Sequence, residues 1–157
     1  MFSIGDKIVY PMYGAGIIKD IQERIILGKQ QNYYIMKLPV GDLDVMVPVS
    51  AGVNMGMRPV ISAEEATEAL EFYRDLVVDK VLAWNKRDRE NLTLLKKGNI
   101  KDVALVLKTL SMLDRTKGLS SNERKMYNST KQIFLSEIAI ALDCDYQKLE
   151  DQLKELD

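Results

Sequence analysis

The chain changes character across Val53-Asn54-Met55-Gly56-Met57-Arg58-Pro59-Val60-Ile61-Ser62-Ala63-Glu64-Glu65. Gly56 and Pro59, with Gly52 just before, make Val53 to Pro59 a connector. Ser62 followed by Glu65 is a capping box. The serine hydroxyl accepts from the amide three positions on, and the glutamate reaches back to the serine amide. Upstream, apolar residues fall in short runs ended by Pro or Gly; downstream they recur at helical spacing. The pattern predicts an α+β chain of two modules, β over residues 1–58 and all-helical over 59–157.

Downstream, Ala66, Ala69, Leu70, Tyr73 and Val77 keep one apolar stripe. A second helix is expected from Trp84 to Lys97, stopping at Gly98, where a left-handed residue ends a helix at least cost. Asn99 is placed to cap a third, with Val103, Val106, Leu107, Leu110 and Leu113 inward, ending at Gly118. Ser120-Ser121-Asn122-Glu123 is a second capping box, opening a helix through Met126, Ile133, Phe134, Ile138 and Leu142. Asp145 caps a final short helix to Leu156. The bundle has about five helices.

Upstream, Lys7-Ile8-Val9-Tyr10 ends at Pro11, and Gly14-Ala15-Gly16 reads as turn material before Ile17-Ile18-Lys19-Asp20-Ile21. That glycine triplet lacks the length and the partners of a phosphate loop. Ile25-Ile26-Leu27 runs into a hairpin turn expected at Gly28-Lys29, and Tyr33 to Leu38 follows. Asp44-Val45-Met46-Val47-Pro48-Val49 alternates until its proline. Short strands punctuated this regularly suit a small twisted sheet or barrel. A proline cannot donate to a ladder, so the strand holding Pro48 belongs at a sheet edge, where another chain can add a strand.

Composition removes several functions. The 157 residues include no histidine and one cysteine, Cys144. The usual general base, the catalytic triads, internal disulfides and multi-cysteine zinc sites are therefore excluded. Carboxylate pairs such as Glu64-Glu65 in a first helical turn serve the helix dipole. The expectation is a non-enzyme without cofactor or metal. No apolar run reaches bilayer length, and Met1 to Ile4 lead into Gly5-Asp6 and not a signal-peptide core. A cytoplasmic protein with no membrane partner is expected, acting as a monomer.

Net charge is −1, but its distribution is uneven. Residues 80–131 hold thirteen Lys and Arg against five acids, a net of +8, between flanks of −5 at 61–79 and 132–157. Such a block points to a local anionic partner, or to cations paired with the acidic flanks. Within it lies Trp84-Asn85-Lys86-Arg87-Asp88-Arg89, with the only tryptophan. A flat apolar ring beside cations suits a duplex, the cations on phosphates and the ring against exposed bases. Equally, Trp84 suits a core position beside a solvated basic face. Arg115, Lys117, Arg124 and Lys125 flank the turn before the Ser120 cap, whose free amides also favour a phosphate.

Tyr10-Pro11-Met12-Tyr13-Gly14-Ala15-Gly16, the Asp44-to-Pro48 strand, Trp84-Asn85-Lys86-Arg87, and Gly118-Leu119-Ser120 with Glu123-Arg124-Lys125-Met126 together resemble the CarD/CdnL family of bacterial RNA polymerase-binding transcription regulators. The match runs nearly end to end and in order. The resemblance implies a Tudor-like β domain, of the type also found in the transcription-repair coupling factor, that binds a lobe of the polymerase β subunit by strand-edge pairing. Arg24, Ile35, Met46 and Pro48 fall at its polymerase-contact positions. It implies that the helical domain binds promoter DNA at the upstream edge of the bubble, largely without sequence preference. Trp84 matches the minor-groove wedge, and Lys86 and Arg87 the adjacent phosphate contacts; Arg89, Arg124 and Lys125 add cations. Some relatives carry arginine at the position of Met46. Lys86 stands where arginine is common, keeping charge without the planar guanidinium, and Asp88 stands where an aromatic is common.

The expected activity is stabilisation of the open promoter complex by a tethered wedge. Docking on polymerase makes a weak DNA contact effectively intramolecular. The alternative is a protein-binding module on polymerase or another partner, without direct DNA contact.

Overall fold

The computed structural model describes residues 2–11, 13–40, 43–50, 56–77 and 84–156, with only the backbone for 84–90 and 156. Five strands come first among the described residues: β1 (Lys7–Tyr10), β2 (Gly14–Ile26), β3 (Lys29–Lys37), β4 (Asp44–Pro48) and β5 (Arg58–Pro59). Five helices follow: α1 (Ala63–Asp75), α2 (Trp84–Lys97), α3 (Ile100–Thr116), α4 (Ser121–Leu142) and α5 (Tyr146–Leu156). This is the two-module α+β chain that the change of period predicts.

The strands form one antiparallel sheet in the order β4-β3-β2-β1-β5. Its long hairpin turns through Leu27-Gly28, one residue earlier than expected, with Ile26 opposite Lys29. Both turn residues have positive φ, 54° and 76°, which matches the right-handed twist of the flanking strands. Gly14-Ala15-Gly16 is not a turn but the start of β2. The turn precedes it and is closed by the Tyr13 amide donating to the Tyr10 carbonyl at 3.0 Å. The glycines answer to packing instead. A Cβ on Gly14, at φ +126°, would lie 2.6 Å from Ser136 Oγ, and one on Gly16 would lie 2.8 Å from the Lys37 carbonyl.

The helix starts follow the caps. Ser62 and Ser120 each form the reciprocal capping box, Asn99 accepts from Lys101, and Asp145 accepts from Gln147 and Lys148. One expectation fails at the end of α1: the helix stops at Asp75, so Val77 lies past the stripe and is exposed. The helical core gathers Tyr73, Leu107, Leu110, Leu113, Phe134 and Ile138, with the Tyr73 and Phe134 rings 5.7 Å apart. Burying each such aliphatic or phenyl side chain is worth about 1.5–3 kcal/mol relative to exposure. The sheet has its own core of Ile8, Ile18, Tyr34, Met36, Val47 and Met57.

The modules meet where α4 lies on β2. The Ala15 amide donates to Ser136 Oγ at 2.8 Å, and Gln132 Nε2 donates to the Tyr13 carbonyl at 2.9 Å. Val9, Ala15 and Ile140 close a small apolar patch beside them. Small residues here let helix and strand approach closely enough for α4 side chains to hydrogen-bond the backbone of the strand.

Candidate functional site

β4 has one neighbour, β3, so its outer side is an open edge among the described residues, as Pro48 predicts. The register decides which side chains accompany that edge. Ile35 faces Met46, Tyr33 faces Pro48 and Gln22, and Arg24 faces Gln31. Side chains alternate along a strand, so Arg24, Ile35, Met46 and Pro48 lie on one face. The opposite face carries Tyr34, Met36 and Val47 into the sheet core. Exposure on the outer face is graded: Ile35 is 9% exposed and Met46, on the edge strand, 43%. Arg24 Nε and Nη2 both donate to Gln22 Oε1, at 3.1 and 2.6 Å, which aims the guanidinium along the hairpin.

The structure adds residues that sequence reasoning passed over. β1 pairs with β2 only from Gly14 to Ile17, and β4 with β3 only from Tyr33 to Lys37. Residues 23–32 therefore extend as a two-stranded arm. Its tip, Ile25-Ile26-Leu27, is exposed, and Ile26 shares the face of Arg24 and Met46. Three consecutive apolar residues before a tight turn break the alternation of a half-buried strand, and that was the available signal.

On the helical side, Trp84, Lys86, Arg87 and Arg89 occupy the opening turns of α2; their side chains lie outside the described residues. The other half of α2 is anchored, with Leu95 buried in the helical core. Arg124 sits at the start of α4. Its guanidinium donates to both oxygens of Asp114, at 3.2 and 2.6 Å, and lies 5.8 Å from the centre of the Tyr127 ring. The hydrogen bond it donates to Asp114 is the main reason its pKa is raised, with a Coulombic contribution from the same carboxylate. Lys131 Nζ approaches the same ring at 5.4 Å, and Lys125 is exposed in the first turn of α4. Arg115 and Lys117 are exposed at the preceding turn, so the structure does bring the cations around the α3–α4 turn to the surface. Asp114 offsets part of their charge.

No group of three or more metal-ligating side chains occurs among the described residues, and no described helix is long and apolar enough to cross a membrane. Cys144 is exposed, and its pKa is raised by partial burial and then by the charges of Asp143 and Asp145.

Both modules match a family by sequence. Residues 2–61 match the CarD-like/TRCF RID domain, and residues 68–154 match the CarD C-terminal domain. The chain belongs to the CarD/CdnL family. A Bacillus subtilis (strain 168) relative, named "Putative transcription factor YdeB", is 33% identical over 140 residues, covering 89% of this chain and 92% of that protein. As a CarD-family chain, the protein has a role in transcription regulation.

Proposed function

We propose that this CarD-family protein docks on the RNA polymerase β-subunit lobe through its β4 edge and stabilises the open promoter complex with its helical module. The observation that carries the reading is the strand register, which gathers Arg24, Ile35, Met46 and Pro48 on one face beside an edge that is unpaired among the described residues. An edge supplies main-chain affinity to an added strand while alternate side chains supply selectivity. Apolar Met46, with Ile26 further along the same face, fits a partner surface that is more apolar than acidic.

Once docked, the helical module meets promoter DNA at high effective concentration. Trp84 wedges at the upstream edge of the bubble and obstructs re-pairing, while Lys86, Arg87, Arg89, Arg124 and Lys125 hold phosphates. A ligand that prefers the open state shifts the equilibrium by its differential affinity, and about 1.4 kcal/mol corresponds to tenfold. The activity is non-catalytic and needs no cofactor, and the protein works in the cytoplasm as a monomer.

Open-complex lifetime with cognate polymerase tests this for wild type, Trp84→Ala and Met46→Arg. Wild type lengthens it; Met46→Arg abolishes the gain by placing a charge against an apolar lobe, and Trp84→Ala abolishes it without loss of polymerase binding. A Trp84→Ala protein as effective as wild type refutes the wedge. The pairing of Arg124 with Asp114 favours one other reading, a protein-binding module whose cations meet carboxylates. DNA binding that stays absent with polymerase present supports that reading instead.

A further inference from the structure

We propose that Arg58 and Glu137 are positioning residues that hold the tryptophan-bearing helix at a fixed place relative to the polymerase-docking sheet. The inference rests on the two-surface function proposed above.

Arg58 belongs to β5 (Arg58–Pro59), the last strand, and its guanidinium reaches two other segments as well as its own strand. Nη1 and Nη2 donate to the two oxygens of Glu137 on α4, each at 2.7 Å. Nε and Nη2 also donate to the Gly98 carbonyl, at 3.2 and 2.8 Å, and Nη1 to the Pro59 carbonyl at 3.1 Å. Gly98 is the left-handed residue that ends α2, the helix that begins at Trp84. One side chain thus ties the sheet to α4 and to the end of α2. Glu137 completes the link by accepting the Ile61 amide at 3.1 Å, which fixes the segment between the modules. Pro11 in the β1–β2 turn flanks the same spot, since a Cβ on Gly98 would meet its Cγ at 3.8 Å.

A buried ion pair is a poor device for stability alone, because apolar residues of similar volume often serve as well. What it supplies is direction. A planar guanidinium with donors in fixed positions accepts a single arrangement of carboxylate and carbonyl, whereas greasy packing tolerates sliding. Effective concentration at a tethered site depends on that geometry, and a link that orients loosely spreads the same wedge over many wrong positions. Glycine at 14 and the Ser136–Ala15 hydrogen bond reinforce the junction from the neighbouring position on α4.

The test uses the full chain with cognate polymerase. Arg58→Lys keeps the charge but loses the planar set of donors, and Glu137→Gln keeps the shape but loses the charge. Spin labels on Lys29→Cys, in the hairpin arm, and on Lys96→Cys, exposed in the last turn of α2, both in a Cys144→Ser background, report the distance between the sheet and that helix. Helix content by circular dichroism confirms folding, so the milder Glu137→Gln decides if Arg58→Lys does not fold. The expected result is a narrow distance distribution in the unsubstituted background, and a broad one in both variants. Affinity for polymerase stays unchanged, while the gain in open-complex lifetime falls by about tenfold. That split between affinity and lifetime is the mark of positioning, since general destabilisation lowers both. Distances that remain narrow in both variants overturn the proposal, as do broad distances with the full gain retained. A wild type that gives no gain overturns both the open-complex reading and this one. A gain that survives both substitutions overturns the positioning role alone.

Discussion

Replacing Arg58 by methionine, replacing Glu137 by methionine, and combining the two should give three unequal losses of stability. The Glu137 side chain is 1% exposed and that of Arg58 is 30% exposed. Removing Arg58 strands a buried carboxylate whose remaining partner among the described residues is the Ile61 amide, and costs about 3–5 kcal/mol. Removing Glu137 leaves a guanidinium that still donates to the Gly98 and Pro59 carbonyls and is reached by water. That loss should be about 1–3 kcal/mol. The double substitution removes both charges and fills the space with thioether chains, so its cost should fall short of the summed singles by about 2 kcal/mol. Urea denaturation measures all three. With a slope of about 1–3 kcal/mol per molar, a 3 kcal/mol loss moves the midpoint by at least about 1 M. Total stability of about 5–15 kcal/mol leaves room for the measurement. Equal single losses, or a double that simply adds, would refute the claim that the carboxylate is the stranded partner.

Three further outcomes follow from local chemistry. Leu27 has φ 54° and is 99% exposed, so Leu27→Asn gives up no packing and relieves left-handed strain. Stability should rise by about 0.5–1 kcal/mol, and a lower melting temperature would contradict this. Tyr146 is pushed up to about 12, first by burial and then by the charge of Glu150. Its neutral form is favoured in the folded state, so its contribution to stability is complete below its unfolded pKa of about 10 and is lost as pH rises through the folded value. An ultraviolet phenolate titration should lose a late-titrating phenol in Tyr146→Phe. Cys144, raised by partial burial and by Asp143 and Asp145, should alkylate more slowly at neutral pH than a free thiol. Asp143→Asn together with Asp145→Asn should speed that reaction, and an unchanged rate would rule out the carboxylates.

The helix starts were legible because capping is local physics. Ser62, Asn99, Ser120 and Asp145 each satisfy amides two or three residues away. Pro48 announced an edge for a similar reason, since its missing N–H is a property of one residue. Val77 was misplaced because periodicity says where a stripe points and not where a helix ends. The Gly14-Ala15-Gly16 error has a comparable cause: a glycine that makes a turn and one that admits a neighbouring chain look alike until the neighbour, Ser136, is known.

Sequence alone therefore determined the class, the order of modules, the caps and the family, because each depends on residues close together or on a pattern read end to end. Tertiary structure decided the rest. Strand pairing put Arg24, Ile35, Met46 and Pro48 on one face with Ile26, and freed the hairpin tip from flanking strands. It also joined Arg58 to Glu137 across 79 positions. An arginine in a connector and a glutamate in a helix are each ordinary until folding removes water from between them. Only then do the two charges hold each other at the junction of the two modules.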